Sequence, residues 1–295
     1  MNKLDPTVLF KRLADDVPKE LHKHLFVTGS LAAAYHFKTK LQGQAINTKD
    51  ADLVVHPAGH VMSCQAMANR LLELGWRRTN DCYPMQSAEP ATDLRAIRLF
   101  PPQSDDYFVE FLNIPSVDQQ EGKKWIPLQL NDGYYGLPSF RFLGIAAKNR
   151  LHSDAGLEYA SPAMMALANL LSHPAVGTQR IEAGYVQGIL RSAKDLGRVI
   201  ALAHLVGRDE SVKWSSLWKD AIHDCFPKQE KELTATLGDG LSEAIADDAV
   251  MEDMRKTTDI GLLNGMDVSP DQLRAVGKRL LADVIAPLRK LISGT

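Results

Sequence analysis

The sequence predicts a small α/β sheet domain followed by an all-helical domain. Three observations predict it. Up to about Leu157, short apolar runs alternate with helix-spaced segments; two further strand-like runs are separated by a Pro/Asp-rich turn; and no strong strand pattern follows Tyr159. The expected domains are residues 1–157 and 158–295. A chain of 295 residues is long enough for both.

The first helix is expected from Asp5, an N-cap residue with Pro6 at the first helical position, followed by the apolar stripe Val8, Leu9, Leu13 and Val17. Leu25-Phe26-Val27 reads as a strand ending at Thr28-Gly29-Ser30, and the alanine-rich stretch from Leu31 to Phe37 reads as a helix. Lys38 to Thr48, polar and containing Gly43, reads as a loop. Asp50 to His56 is the second strand, and His60 to Leu74 carries apolar residues at helical spacing before Gly75. Leu94 to Phe100 and Tyr107 to Ile114 are two more strands, joined by the turn Pro101–Asp106.

In the second half, Ser161-Pro162 starts a helix through Leu171. Arg180 to Val206 (with a break at Gly184 or Gly188), Trp214 to Cys225, Lys228 to Ala246 and Ser269 to Leu291 are helical as well. Ser269-Pro270-Asp271-Gln272 has the spacing of a capping box, and Pro287 predicts a kink in the last helix.

Composition excludes several classes. An apolar fraction of 45% and a charged fraction of 24% are those of an ordinary globular protein. The net charge of −2 supplies no global attraction to nucleic acid, so such binding would need a local patch; Lys123-Lys124 and the stretch holding Arg141, Lys148 and Arg150 are the candidates. The three cysteines, Cys64, Cys82 and Cys225, form no CxxC pattern, which argues against zinc and against a disulfide framework. With no leader-like apolar stretch at Met1–Pro6 and no long apolar run, the expectation is a protein of the reduced cytoplasm without a membrane partner.

The chemistry-bearing pattern is Gly29-Ser30 followed by Asp50-Ala51-Asp52. At a strand end and helix N-terminus, Gly29-Ser30 can present backbone N–H groups and a hydroxyl to a phosphate. Two carboxylates at alternate positions of one strand face the same side of a sheet and suit Mg²⁺ or Mn²⁺, hard cations held by carboxylates and substrate phosphates. A third acid is expected at Glu110, which shares its strand face with Phe108 and Leu112. A carboxylate there carries a desolvation cost unless it is paired, metal-bound or at an edge. Glu89, Asp93 and Asp106 are the fallback acids. Arg95 and Arg98, three apart on a strand, face opposite sides, one toward the site and one toward solvent. Arg77-Arg78 reads as a solvated turn, and His22, His24 and His36 show no metalloenzyme spacing.

Gly-Ser, Asp-x-Asp on a strand, and an acid on a later strand together resemble the polymerase-beta-type nucleotidyltransferase superfamily, and within it the branch of the AbiEii toxins. Glu158-Tyr159-Ala160-Ser161-Pro162 is similar to the short strand and Ser-Pro helix start of that branch, and Arg191–Leu196 to its Arg/Lys-Asp segment. Three departures stand out: a long interval between Ser30 and Asp50, with an inserted loop expected at Lys38–Asn47; Met164-Met165-Ala166-Leu167 where relatives commonly carry a lysine; and glutamate rather than aspartate at 110. The resemblance implies a small mixed sheet with flanking helices, followed by a helical domain. It also implies Mg²⁺-dependent transfer of a nucleoside monophosphate from an NTP, with release of pyrophosphate. Asp50, Asp52 and Glu110 would be the catalytic and metal-binding acids, while Gly29, Ser30, Lys194 and Asp195 would bind the nucleotide, with Lys194 as a clamp on the phosphates. The acceptor would be a tRNA, a protein or a small-molecule hydroxyl, and a toxin-antitoxin role would add an antitoxin partner. The alternative is a non-catalytic nucleotide-binding or interaction protein that keeps the fold.

Overall fold

The computed structural model describes residues 5–41, 48, 50–57, 60–115, 123–177, 179–182 and 186–293. The chain divides into two compact units, Met1–Ser161 and Pro162–Thr295.

In the first unit, nine strands form one mixed sheet among the described residues: β1 Leu25–Thr28, β2 Asp50–Val55, β3 Arg77–Arg78, β4 Arg98–Phe100, β5 Phe108–Asn113, β6 Lys123–Leu130, β7 Gly133–Phe140, β8 Leu151–His152 and β9 Glu158–Tyr159. Their order is β3-β4-β5-β2-β1-β9-β8, with β7 joining β5 and β6 joining β7. β1 and β2 are antiparallel, whereas β2–β5 and β1–β9 are parallel. The central strands are apolar on both faces beyond the site: Leu25, Phe26, Val27, Leu53, Val54 and Val55 are all fully buried or nearly so. Because Glu158 and Tyr159 pair with Phe26 and Val27, they belong with the sheet, and the units meet four residues beyond the expected boundary, after Ser161.

Helices α1 (Pro6–Asp16), α2 (Gly29–His36), α3 (Val61–Glu73) and the short α4 (Leu143–Ala146) complete this unit. Asp5 caps α1 as expected, its Oδ1 accepting from Thr7 N at 2.8 Å. Phe10 of α1 stacks on Tyr35 of α2 with ring centroids 4.1 Å apart, and meets Tyr159 edge-on at 5.9 Å.

Several elements differ from expectation. Of the run Leu94–Phe100 only Arg98–Phe100 is strand, because the chain enters through a 3₁₀ turn at Ala91–Asp93. Arg77-Arg78 is strand β3 rather than a solvated turn; Arg77 Nη2 meets Asp105 Oδ1 at 2.5 Å and Arg78 Nη2 meets Asp132 Oδ2 at 2.7 Å. The β6–β7 hairpin was not expected. The expected loop falls largely on residues 42–47, and Gly184 on 183–185, all outside the described residues.

The second unit is helical: α5 Pro162–Val176, α6 Arg191–Val206, α7 Arg208–Ser211, α8 Trp214–Cys225, α9 Glu230–Thr236, α10 Asp239–Ala246, α11 Asp248–Ile260, α12 Pro270–Leu280 and α13 Ala286–Ser293. No strand follows Tyr159 among the described residues. The expected helix from Arg180 starts only at Arg191, since Arg180 and Leu190 form a bridge. The expected helix Lys228–Ala246 breaks at Gly238, whose φ of +93° separates α9 from α10. The Ser269 capping box is present, and a π-helical turn at Leu281–Ile285 precedes Pro287, which has no N–H to continue the ladder.

Candidate active site

β1 stops at Thr28 because the next residue, Gly29, takes a φ of +73° and opens α2. The Thr28 side chain makes no capping bond to the helix. The first amides of α2, at Gly29, Ser30 and Leu31, have no carbonyl within the helix to pair with. Thr28 lies directly opposite Asp52 in the β1–β2 ladder.

Strand register sets the acids on one face of the sheet. Asp50 pairs with Phe108 and Asp52 with Glu110 across the parallel β2–β5 ladder, so Asp50, Asp52 and Glu110 share one face of the sheet. The other face carries Ala51, Leu53, Val109 and Phe111, all buried. Asp50, at the exposed start of β2, accepts a 2.5 Å hydrogen bond from Thr48 Oγ1 on its Oδ1. Asp52 is half-buried, with Oδ2 against the α-carbon of Gly29, where a β-carbon would overlap it.

Glu110 stands beside Arg98, its register partner on β4. Arg98 Nη2 donates to Glu110 Oε1 at 3.3 Å, Nε lies 3.3 Å from Oε2, and Nη1 reaches Asp81 Oδ2 at 2.6 Å. The guanidinium also lies over the Phe108 ring, 5.6 Å from its centroid. Burial works against the charge on Arg98, but Glu110 and Asp81 outweigh it, and the net effect holds the guanidinium above its ordinary value. Asp81 lies below the usual carboxylate range, chiefly through the hydrogen bond from Thr79 Oγ1 at 2.6 Å. Of the two expected arginines it is thus Arg98 that reaches the site face; Arg95 instead donates from Nε to Tyr83 Oη at 2.9 Å. Asp81 and Thr79 carried no sequence signal, since only the fold brings their turn against β4.

Lys194 and Asp195 belong to the second unit, near the start of α6. Lys194 is exposed, while Asp195 is half-buried. Burial raises the Asp195 carboxyl, opposed by Arg198, Lys194, His173 and Arg191. The fallback acids sit in turns: Glu89 Oε2 accepts from Ala91 N at 3.2 Å, Asp93 Oδ1 from Thr92 Oγ1 at 3.5 Å, and Asp106 Oδ2 from Ser104 Oγ at 3.0 Å.

The candidate basic stretch is partly engaged. Arg150 Nε donates to Glu158 Oε2 and its Nη1 to the Ala147 carbonyl, both at 2.8 Å, and Arg141 stacks on Phe142 with 4.9 Å to the ring centroid. Lys123 and Lys124 open β6, and their side chains fall outside the described residues.

Among the described residues, no three His, Cys, Asp or Glu side chains gather as a metal-binding group. The donor set at Asp50 and Asp52 is nonetheless of the right kind for a hard divalent cation: carboxylate oxygens on one strand face, with room kept at Asp52 by the absent β-carbon of Gly29. No helix of the described residues is long and apolar enough to cross a membrane.

No protein-family model matches the chain, and no curated protein matches it. Among solved structures the chain is similar to a STING-associated CdnE c-di-GMP synthase from Capnocytophaga granulosa, at 10% identity over 99% of this chain and 84% of that one, with a TM-score of 0.23.

Proposed function

We propose that the chain is a divalent-metal-dependent nucleotidyltransferase that moves a nucleoside monophosphate from an NTP to a hydroxyl of an RNA, a protein or a small molecule. The observation that carries this reading is the β1–β2–β5 register. It sets Gly29-Ser30 at the start of α2 beside Asp52, and Asp52 beside Glu110. A phosphate cradle next to carboxylates is the arrangement that phosphoryl transfer needs.

In this reading the α2 amides at Gly29 and Ser30 receive the terminal phosphates, where the helix dipole favours negative charge. Asp50 and Asp52 would hold Mg²⁺ or Mn²⁺, and the cation would supply charge neutralisation for the phosphoryl transfer. The acceptor oxygen forms a bond to the α-phosphorus as the bond to the bridging oxygen of pyrophosphate breaks. Glu110 is the third acid, sharing the metal or taking the proton of the acceptor hydroxyl. A nucleotide-binding role for Lys194 and Asp195, which belong to the helical unit, comes from the family resemblance alone. A tRNA or protein acceptor and an antitoxin partner come from the family resemblance alone.

The test is incubation with each α-³²P-labelled NTP and Mg²⁺, with cell-extract RNA and protein as acceptors, comparing wild type with Asp50→Ala. Label transferred by wild type and lost in the variant supports the reading, and the labelled band names the acceptor class. A second reading, nucleotide binding without turnover, draws on the Arg98 guanidinium paired with Glu110. It gains if NTP binding is intact and no NTP labels any acceptor.

A further inference from the structure

We propose that the helical unit carries a binding groove for a small monoanionic amphiphile, a carboxylate on an apolar body, with Lys278 as its counter-ion. The groove lies wholly within this unit and is independent of the nucleotide chemistry of the first.

Two helix stripes make its walls. From α10 come Ser242, Ile245 and Ala246, one helical turn apart, with Asp248 following at the start of α11. From α12 and the π turn come Arg274, Lys278, Leu281 and Ala282, again one turn apart along a single face. The two walls approach closely where glycine leaves room. A β-carbon on Gly277 of α12 would lie 2.9 Å from Ile245 Cγ2, and one on Gly238, just before α10, would lie 3.1 Å from Leu281 Cδ2 and 2.8 Å from Ile285 Cδ1. Walls seated this closely are preformed. The space between them is about 660 Å³, within the range of small-molecule sites.

Charge within the groove is unevenly balanced. Arg274 is fully engaged: its Nε donates to the Ile245 carbonyl at 2.9 Å, its Nη2 pairs with Asp248 Oδ1, and its Nη1 lies 3.5 Å from Asp271 Oδ1. Lys278, one turn on and exposed, meets no carboxylate among the described residues. A helix C-terminus would account for a lone lysine through its dipole, but α12 runs on through the π turn Leu281–Ile285 into α13, so Lys278 sits at no free end. Such π turns are rare and frequently mark functional sites.

One uncompensated positive charge amid Ile245, Ala246, Leu281 and Ala282 calls for one negative charge on an apolar body. The carboxylate pairs with Lys278 Nζ, and the hydrocarbon or ring covers the apolar wall. A dianion such as a phosphate monoester fits less well, because its second charge would be left unpaired near Asp248.

The experiment is calorimetric titration of decanoate, butyrate and decylamine, each below its micelle concentration, into the full chain. The variants are Lys278→Gln, Lys278→Glu and Ala282→Trp, all at exposed positions, with urea midpoints confirming that each is folded. Wild type is expected to bind decanoate at least tenfold more tightly than butyrate or decylamine. Lys278→Gln is expected to weaken decanoate about tenfold, the size of one charge-assisted contact. Lys278→Glu is expected to reverse the preference toward decylamine, and Ala282→Trp to abolish binding by filling the groove. No decanoate binding in wild type, or butyrate bound as tightly, overturns the proposal. Decanoate binding that the Lys278 variants leave unmoved overturns the counter-ion, and binding that survives Ala282→Trp places the ligand elsewhere and overturns the groove. Co-sedimentation with phosphatidylglycerol vesicles, lost in Lys278→Gln and without decanoate binding, overturns the small molecule in favour of a membrane surface.

Discussion

Gly29 and Asp52 are fitted to each other: the space a β-carbon would fill at position 29 is taken by Asp52 Oδ2. Gly29 also has a φ of +73°, which L side chains rarely adopt. One position thus meets two separate demands, a backbone turn from β1 into α2 and room for a carboxylate on β2. A Gly-Ser dipeptide in the sequence signals the first demand; only the strand register exposes the second.

Gly29→Ala is therefore expected to do more than strain the backbone. Gly75 provides the comparison, with a φ of +85° but its nearest neighbour, Pro102 Cγ, a comfortable 3.9 Å from an added β-carbon. Gly75→Ala should lose about 1–2 kcal/mol, the cost of the left-handed conformation alone. Gly29→Ala should lose a similar amount, since the Asp52 carboxylate is the end of a flexible side chain and can turn aside, but unlike Gly75→Ala it should weaken Mn²⁺ binding, because that carboxylate must move. Urea unfolding and Mn²⁺ titration on both variants check this; unchanged metal binding in Gly29→Ala would refute the steric account.

Much of the sheet was readable because its signals are local. The stop at Gly29, the Asp-x-Asp alternation and the caps at Asp5 and Ser269 each need only a few consecutive residues. The β6–β7 hairpin had a local signal too, Asn131-Asp132-Gly133, but Pro127 and Pro138 interrupt runs that would otherwise read as strands. The fold admits Pro127 because, among the described residues, β6 pairs with β7 alone. Helix α11 escaped because its sequence, Asp-Ala-Val-Met-Glu-Asp-Met-Arg-Lys-Thr-Thr-Asp-Ile, is dominated by polar residues. The Arg98–Glu110–Asp81 network was out of reach for another reason: it depends on which strands are neighbours, and alternation within one strand does not contain that.

Close helix approach in the second unit depends on Gly197 of α6. A β-carbon there would come within 2.8 Å of Thr257 Oγ1 and 3.2 Å of the Met254 carbonyl, both on α11. Alanine normally favours a helix interior over glycine by roughly 0.5–1 kcal/mol. Here the sign should reverse, because overpacking against backbone typically costs about 1–3 kcal/mol. Gly197→Ala should therefore lower the urea midpoint, and a raised midpoint would mean that α6 and α11 separate at little cost.

Trp218 anchors the same unit. It is fully buried, and its Nε1 donates to the Ala163 carbonyl at 2.9 Å, tying α8 to the first turn of α5. Trp218→Phe removes the donor and part of the ring, and should cost about 2–4 kcal/mol through the lost hydrogen bond and the cavity left behind. Chemical denaturation of the variant measures it; a change below about 0.5 kcal/mol, the range of neutral surface substitutions, would show that the tie is unimportant.

Acid should weaken the first unit through His56. This residue extends the β1–β2 ladder, its N–H donating to the His24 carbonyl at 2.9 Å, and its half-buried ring meets Phe26 edge-on at 6.4 Å. Its Nδ1 is buried without a hydrogen-bond partner among the described residues. Burial lowers its pKa from 6.5; Arg150, His60 and His24 act in the same direction, and Glu158 acts against them. Below pH 6.5 the unfolded chain therefore takes up a proton that the folded ring resists, so stability should fall as pH drops through that point and level off above it. His36 is shifted in the same direction, so the wild-type slope has more than one source. The contribution of His56 is isolated by difference, with urea midpoints at about pH 7.5 and 5.5, on either side of the ordinary histidine value. His56→Gln, which cannot charge, should lose less stability on acidification than wild type. Equal losses in the two proteins would place the acid sensitivity elsewhere.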